Sequence, residues 1–400
     1  MILSKKSLDQ LAIFGGIPLI PNDLPVGQFY FPKWDEYKKS MEVIFEREYY
    51  TNHGPFAMQL EDRLSNFLGV KHVVYSTNAT IGLYMVLVAM ELKGSVILPS
   101  FTFVATAQAV LMAGLTPVFC DIGGKTHHIL TDKVEELITE DVSAIVPVNL
   151  WGGACNIDEI ARLAEKRNLK LIFDSAHGFG SKFGGKRLGG FGDAEIFSFH
   201  ATKFLSATEG GCIATNDDAL ADSIRNIRSN YGIKNVVEVP LTINGRISEA
   251  QAAIALINFD HMDEYYGHNL EIINVYKSGL EQVNGIVVHD PETVSESNCQ
   301  SAVITVDSNE FGLTRDQLLK ILQTENIHAR RYFYPGVHKM IPFDEFCKPS
   351  FTLDNTDRLC KDILQLPIGA MVTAQVADSI VGLIKFIQTN SEQVGSFFNK

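Results

Sequence analysis

An α/β fold with a mostly parallel sheet flanked by helices, followed by a smaller α+β unit, is what this sequence predicts. Three observations carry that prediction. Between residues 72 and 230, short apolar runs rich in β-branched residues alternate with helix-spaced stretches, the pattern of a parallel sheet with crossover helices. Those runs lack a polar face, as strands covered on both sides do. After a long helical stretch, a second alternation of strand and helix begins near residue 285.

Taken in order, residues 1–45 are mixed, and Pro21, Pro25 and Pro32 predict an extended N-terminal arm. QLEDRLSNFL (59–68) has the apolar spacing of a helix. Strands are predicted at HVVYS (72–76), SVILP (95–99), TPVFCD (116–121), AIVPVN (144–149), KLIFD (170–174), EIFSF (195–199) and GCIAT (211–215), with helices over 80–92, 103–113, 131–139, 156–167 and 216–230. Residues 248–283 read as a long, broken helical stretch leading into the second unit. There QSAVITVD (300–307) predicts a strand, TRDQLLKILQTEN (314–326) a helix and ADSIVGLIKFIQTN (377–390) a terminal helix. The expected division is an arm at 1–45, a large domain at 46–260 and a smaller domain at 261–400.

Composition narrows the function. A chain of 400 residues exceeds one simple core. A formal net charge of −13 leaves no surplus to neutralise phosphates, so nucleic acid is not an expected partner. No segment approaches an apolar run of about 18 residues, and the N-terminus lacks the apolar core of a signal peptide. Cys120, Cys155, Cys212, Cys299, Cys347 and Cys360 are scattered, with no paired spacing for a metal. A cytoplasmic protein with reduced thiols, no membrane partner and no metal is expected.

Three polar signals then converge. KLIFDSAHGFG puts Asp174 at a strand end with His177 three residues on. EIFSFHATK puts Ser198 at another strand end with Lys203 just beyond, and HVVYSTNATIGL puts a polar turn at the start of a helix. Strand ends of this kind open on the crevice where α/β proteins bind ligands. A lysine, a carboxylate and a helix N-terminus are what pyridoxal 5′-phosphate needs: an amine to carry it and move protons, a negative charge for its ring nitrogen and amides for its phosphate. Singly, each has a plainer reading. Asp174 fits a helix N-cap, Ser198 a satisfied strand hydroxyl and His177 a structural histidine. A dinucleotide-dependent oxidoreductase is excluded, because no GxGxxG follows any predicted strand.

Nearly the whole chain resembles the DegT/DnrJ/EryC1/StrS family of pyridoxal-phosphate sugar aminotransferases, within the fold type I, aspartate aminotransferase-like superfamily. The resemblance is carried by TNHGPF (51–56), STNATIGL (76–83), LPSFTFVATAQAV (98–110), PVNLWGGACNIDEI (147–160), FDSAHGFGS (173–181), FSFHATKFLSATEGG (197–211), NGRISEAQAAIAL (244–256) and ARRYFYPGVHKM (329–340). It implies that Lys203 is the Schiff-base lysine, that Asp174 partners the pyridine nitrogen and that His177 stands beside the phenolic oxygen. Phe103 matches the aromatic that stacks on the ring, with a core phenylalanine as the alternative. Ala79, Thr80 and Ser198 match the phosphate contacts. NGRISE is similar to a segment that reaches the phosphate from a partner subunit, which nominates Asn244 and Arg246 and implies a homodimer; a plain turn residue is the alternative for Asn244. A branch of the family with histidine in place of the lysine dehydrates sugars instead, and Lys203 sets this chain apart from it.

The resemblance also implies the substrates: glutamate as amino donor and a nucleotide-linked keto-sugar as acceptor. Arg330, Arg331, Tyr332 and Tyr334 share one loop whose residue types suit phosphate, carboxylate and nucleobase; an interface loop whose arginines pair with surface acids is the alternative. The motif set is most like enzymes acting at C-4 of dTDP-4-keto-6-deoxyglucose. Amination at C-3, and a sensor that binds sugar nucleotides without turnover, are the competing expectations.

Overall fold

The computed structural model describes residues 4–27, 30–231, 233–291, 293–346 and 352–398; Cys347 lies outside them. Helix α1 (Trp34–Arg47) occupies part of the stretch expected as an extended arm. Its Trp34, Tyr37, Met41, Ile44 and Phe45 fall at helical spacing, with Ile44 buried and Trp34 and Phe45 largely exposed; Pro21, Pro25 and Pro32 all precede it. Helix α2 (Pro55–Leu68) begins four residues earlier than its apolar spacing indicates, with proline in its first turn and Gly69 in the left-handed region at its end. Its Ala57, Leu60, Leu64 and Leu68 form the buried stripe.

The alternation then follows, as β1 (His72–Ser76), α3 (Ala79–Ala89), β2 (Ser95–Pro99), α4 (Val104–Met112), β3 (Thr116–Cys120), α5 (Thr131–Leu137), β4 (Val142–Ile145), α6 (Ile157–Arg167), β5 (Lys170–Asp174), β6 (Ala194–Ser198), β7 (Gly211–Thr215) and α7 (Asp218–Arg228). The strands form one sheet in the order β1-β7-β6-β5-β4-β2-β3. Strand β7 is antiparallel to both neighbours and the other pairs are parallel. Strand β4 stops four residues short of its expected end. Pro147 has no N–H for the ladder, and beyond it the chain keeps a single bridge, Val148 to Asp174.

Successive strand residues point to opposite faces, and both faces are apolar. Phe173 and Phe197 pack with Leu60 and Leu64 of α2, whereas Ile172 and Ile196 pack with Leu83 and Val86 of α3 and Ile224 of α7. Each such side chain contributes about 1.5–3 kcal/mol by leaving water. This fixes the register of β5 and β6, and with it the height at which Asp174 and Ser198 emerge.

The long helical stretch is α8 (Glu249–Asp260) and α9 (Met262–Leu280), broken at His261. A three-stranded antiparallel sheet follows, of β8 (Ile286–Val288), β9 (Ala302–Val306) and β10 (Ile363–Leu366), covered by α10 (Arg315–Thr324), α11 (Asp354–Asp362), α12 (Ala374–Thr389) and α13 (Ser391–Phe398). The N-terminal residues join this second core: Leu11, Leu19, Ile20 and Leu24 pack with Ile272, Ile304, Leu364 and Ile380. Fully buried Glu325 fastens them, accepting hydrogen bonds from the Ala12 and Leu19 amides at 2.8 and 2.6 Å and pairing with Lys5 at 2.9 Å. Among the described residues no helix is long and apolar enough to cross a membrane.

Candidate active site

The carboxyl ends of β1, β5 and β6 lie on one edge of the sheet, tied together by Gly211, which pairs with Ser76 on one side and Ser198 on the other. They open into a cavity of about 320 Å³. Its wall includes Lys203, Asp174, His177, Ser198, Ala79, Thr80 and Phe103, together with Arg330 and Tyr332. Residues far apart in sequence therefore meet in one crevice.

Helix α3 presents its N-terminus to this cavity. Asn78 caps it by accepting the Ile81 amide at 2.9 Å, and the first intrahelical bond runs from the Gly82 amide to the Asn78 carbonyl at 3.0 Å. The amides of Ala79 and Thr80 precede that bond, so they are donors that the helix itself does not use. Gly211 passes so close that a Cβ there would sit 2.8 Å from the Ala79 nitrogen and 2.9 Å from the Asn78 carbonyl carbon. The cradle depends on glycine at that position.

Asp174 lies at the cavity floor, 9% exposed. Its Oδ2 accepts from Thr106 Oγ1 at 2.7 Å and its Oδ1 from the Ala176 amide at 3.1 Å. Burial raises its pKa, opposed by those two donors and by the charge of Lys203. Lys203 is half-buried; desolvation lowers its amine to about 8, with Asp174 opposing and Arg330 adding to the shift. Desolvation holds His177 well below the ordinary imidazole range, and its buried Nδ1 has no hydrogen-bond partner among the described residues. The His177 ring leans on Trp151 at 5.4 Å. Ser198 Oγ accepts from the His200 amide at 3.3 Å. Phe103 is 57% exposed, so the alternative of a core phenylalanine does not describe it; its ring is an apolar face offered to the cavity.

The four remaining candidates stand off this wall. Asn244 Oδ1 accepts from Arg246 Nη1 at 2.7 Å within the same chain, and Arg246 lies against the Tyr231 ring at 5.8 Å. Arg331 pairs with Asp316 at 3.3 Å and covers the Tyr334 ring at 4.5 Å, which is the arrangement of the interface-loop alternative. Arg330, by contrast, faces the cavity and donates to the Tyr332 hydroxyl at 3.1 Å.

Thr106, Trp151 and Asn298 went unnoticed in the sequence. Asn298 Nδ2 donates to the His177 and Phe179 carbonyls at 3.0 Å each and so holds the loop that carries His177. Thr106 and Trp151 sit inside quoted motifs, yet their partners are set by the tertiary fold. The donor set fits pyridoxal phosphate. A carboxylate and a desolvated amine face one cavity, an unpartnered imidazole nitrogen lies beside them, an open helix end waits for an anion and an aromatic face is exposed. Among the described residues no group of three or more histidine, cysteine, aspartate or glutamate side chains is placed to hold a metal ion.

The model of the DegT/DnrJ/EryC1/StrS aminotransferase family matches residues 34–385. The dTDP-4-amino-4,6-dideoxy-D-glucose transaminase of Shigella dysenteriae is 35% identical over 361 residues, covering 89% of this chain and 97% of that protein. Its Escherichia coli counterpart is 32% identical, covering 90% and 98%. Among solved structures, DesI in the presence of its TDP-sugar product superposes with a TM-score of 0.94 at 33% identity, covering 98% of this chain and all of that one.

Proposed function

The chain belongs to the DegT/DnrJ/EryC1/StrS aminotransferase family, and from that premise we propose that it moves an amino group from glutamate to C-4 of dTDP-4-keto-6-deoxyglucose. It is a sugar aminotransferase of fold type I whose cofactor is pyridoxal 5′-phosphate. The observation that carries the proposal is the single cavity that gathers Lys203, Asp174, His177 and the open end of α3. The similarity to enzymes that handle dTDP-linked 4-amino sugars supports the acceptor.

When bound, the cofactor supplies an electron sink for the carbon that exchanges nitrogen. The protein does the rest. Asp174 keeps a negative charge, held in place by Thr106 and Ala176, where the ring nitrogen needs its proton. His177, pinned by Trp151 and Asn298, would lie beside the phenolic oxygen. The Ala79 and Thr80 amides and the Ser198 hydroxyl would hold the phosphate, and Phe103 would cover one ring face. Lys203 Nζ would hold the cofactor and, when free, serve as the base that moves a proton. Its amine at about 8 leaves a sizeable neutral fraction near physiological pH, as a general base requires. Arg330 and Tyr332, on the wall, suit the acidic and aromatic parts of the substrates; Arg331 and Tyr334 stay proposed contacts at the rim.

Assembly and setting belong to the same proposal. We take the active unit as a homodimer in which Asn244 and Arg246 reach the partner's phosphate site, consistent with their position off this chain's own cavity. A division near 260 is supported by the helix break at His261, whereas a boundary at 45 would cut α1. A cytoplasmic setting is supported by the five cysteines among the described residues, all free and buried.

Spectral titration of the holoenzyme tests the function. Glutamate should shift the cofactor absorbance, and dTDP-4-keto-6-deoxyglucose should restore it with nitrogen at C-4 of the product by NMR. Recovery with a 3-keto isomer instead would move the chemistry to C-3. A spectrum unmoved by glutamate would overturn the reading.

A further inference from the structure

One pair on the cavity wall has no part in holding the cofactor. Residues 199–210 form a closed loop, cinched by hydrogen bonds from the Phe199 amide to Gly210 at 2.8 Å, from Ala201 to Thr208 at 2.7 Å and from Ala207 to Phe199 at 2.8 Å. Lys203 sits on this loop, and His200 and Glu209 face each other across its base; all three line the cavity. His200 Nδ1 accepts the Thr202 amide at 3.2 Å, so in the neutral ring the proton sits on Nε2. That nitrogen lies 3.7 Å from Glu209 Oε1. The separation is too long for a hydrogen bond, so the ring lies beside the carboxylate and leaves its oxygens open to the cavity. The Glu209 side chain is 58% exposed, and among the described residues no hydrogen bond ends on its carboxylate oxygens.

We propose that Glu209, at the base of the Lys203 loop beside His200, accepts hydrogen bonds from the hydroxyls of the sugar ring and so makes the site selective for a sugar nucleotide. This rests on the reading of the cavity as a sugar aminotransferase site. The chemistry selects the partner. A carboxylate accepts and does not donate, and it repels the two anionic pieces that enter here, the dicarboxylate donor and the diphosphate. Arg330 supplies positive charge on the wall for those. The hexose hydroxyls are what remains, and hydrogen bonds to a charged acceptor are the strong kind.

Calorimetry on the holoenzyme separates the sugar from the nucleotide. The probes are dTDP-6-deoxyglucose, which offers hydroxyls and no amine, and dTDP alone. Glu209→Ala should weaken the first by about tenfold to a hundredfold and leave the second within about twofold. Glu209→Gln, which keeps an acceptor and the shape, should fall between. Unchanged cofactor absorbance checks that the loop is intact. Equal weakening of both probes, or of neither, would overturn the inference while leaving the aminotransferase reading in place. A wild-type enzyme that binds neither would overturn the substrate reading and this inference with it.

Discussion

At the scale of single residues, Asp174 and Lys203 divide the work. The carboxylate does not anchor the cofactor, since the phosphate cradle and the lysine do that; it controls a proton on the ring. Asp174→Asn should therefore keep the cofactor through gel filtration and lose turnover by about 10³-fold or more, the cost of removing a charge-assisted interaction from a buried site. Near-normal steady-state rates in that variant would remove the assignment. Lys203 sets a pH dependence. Its amine is depressed to about 8 by desolvation, and attachment of the cofactor requires the neutral form. In stopped-flow mixing of apoprotein with pyridoxal phosphate, the rate should rise with pH and level off above about 8. A rate that keeps climbing toward pH 10 would mark an ordinary exposed lysine.

At the scale of elements, the phosphate cradle depends on how closely β7 passes the start of α3. A methyl at Gly211 would press on the backbone at Ala79 and Asn78, atoms that cannot swing aside as a side chain tip would. Gly211→Ala should weaken cofactor retention by about tenfold or more through the displaced amides, readable by fluorescence titration, while far-ultraviolet circular dichroism stays unchanged. Unaltered affinity would mean that α3 does not hold the phosphate. The same elements show what was legible beforehand. Strands such as KLIFD and GCIAT match residue for residue, because strands covered on both faces leave an unbroken apolar signature. Helix α1 and strand β10 escaped notice. The first carries its helical apolar spacing directly behind three prolines that indicate extended chain, and ILQL is a four-residue run directly behind a helix. Asp174, Lys203 and Ser198 could be found because strand ends are visible in sequence. The Thr106 contact to Asp174 and the Asn298 clasp on His177 join residues 68 and 121 positions apart, which no local pattern encodes.

At the scale of the whole molecule, the proposed dimer gives the exposed aromatic surface a purpose. Trp34 is 69% exposed, Phe45 62% and Tyr231 59%, and a dimer interface would cover side chains of this kind. Asn244 bonds only to Arg246 within its own chain among the described contacts, so Asn244→Asp leaves the local fold an acceptor while setting a like charge against the partner's phosphate. Lys203→Ala and Asn244→Asp, each inactive alone, should then complement after subunit exchange. Half the molecules would be mixed, each with one intact site of two, and activity should recover to about one quarter of wild type. No recovery, with exchange verified by native mass spectrometry, would place both residues in one chain's site. The whole account turns on which lysine carries the cofactor. Borohydride reduction of the holoenzyme followed by peptide mapping answers that directly: the pyridoxyl mass should appear on the peptide containing Lys203, and its appearance on any other lysine, or on none, would contradict the account.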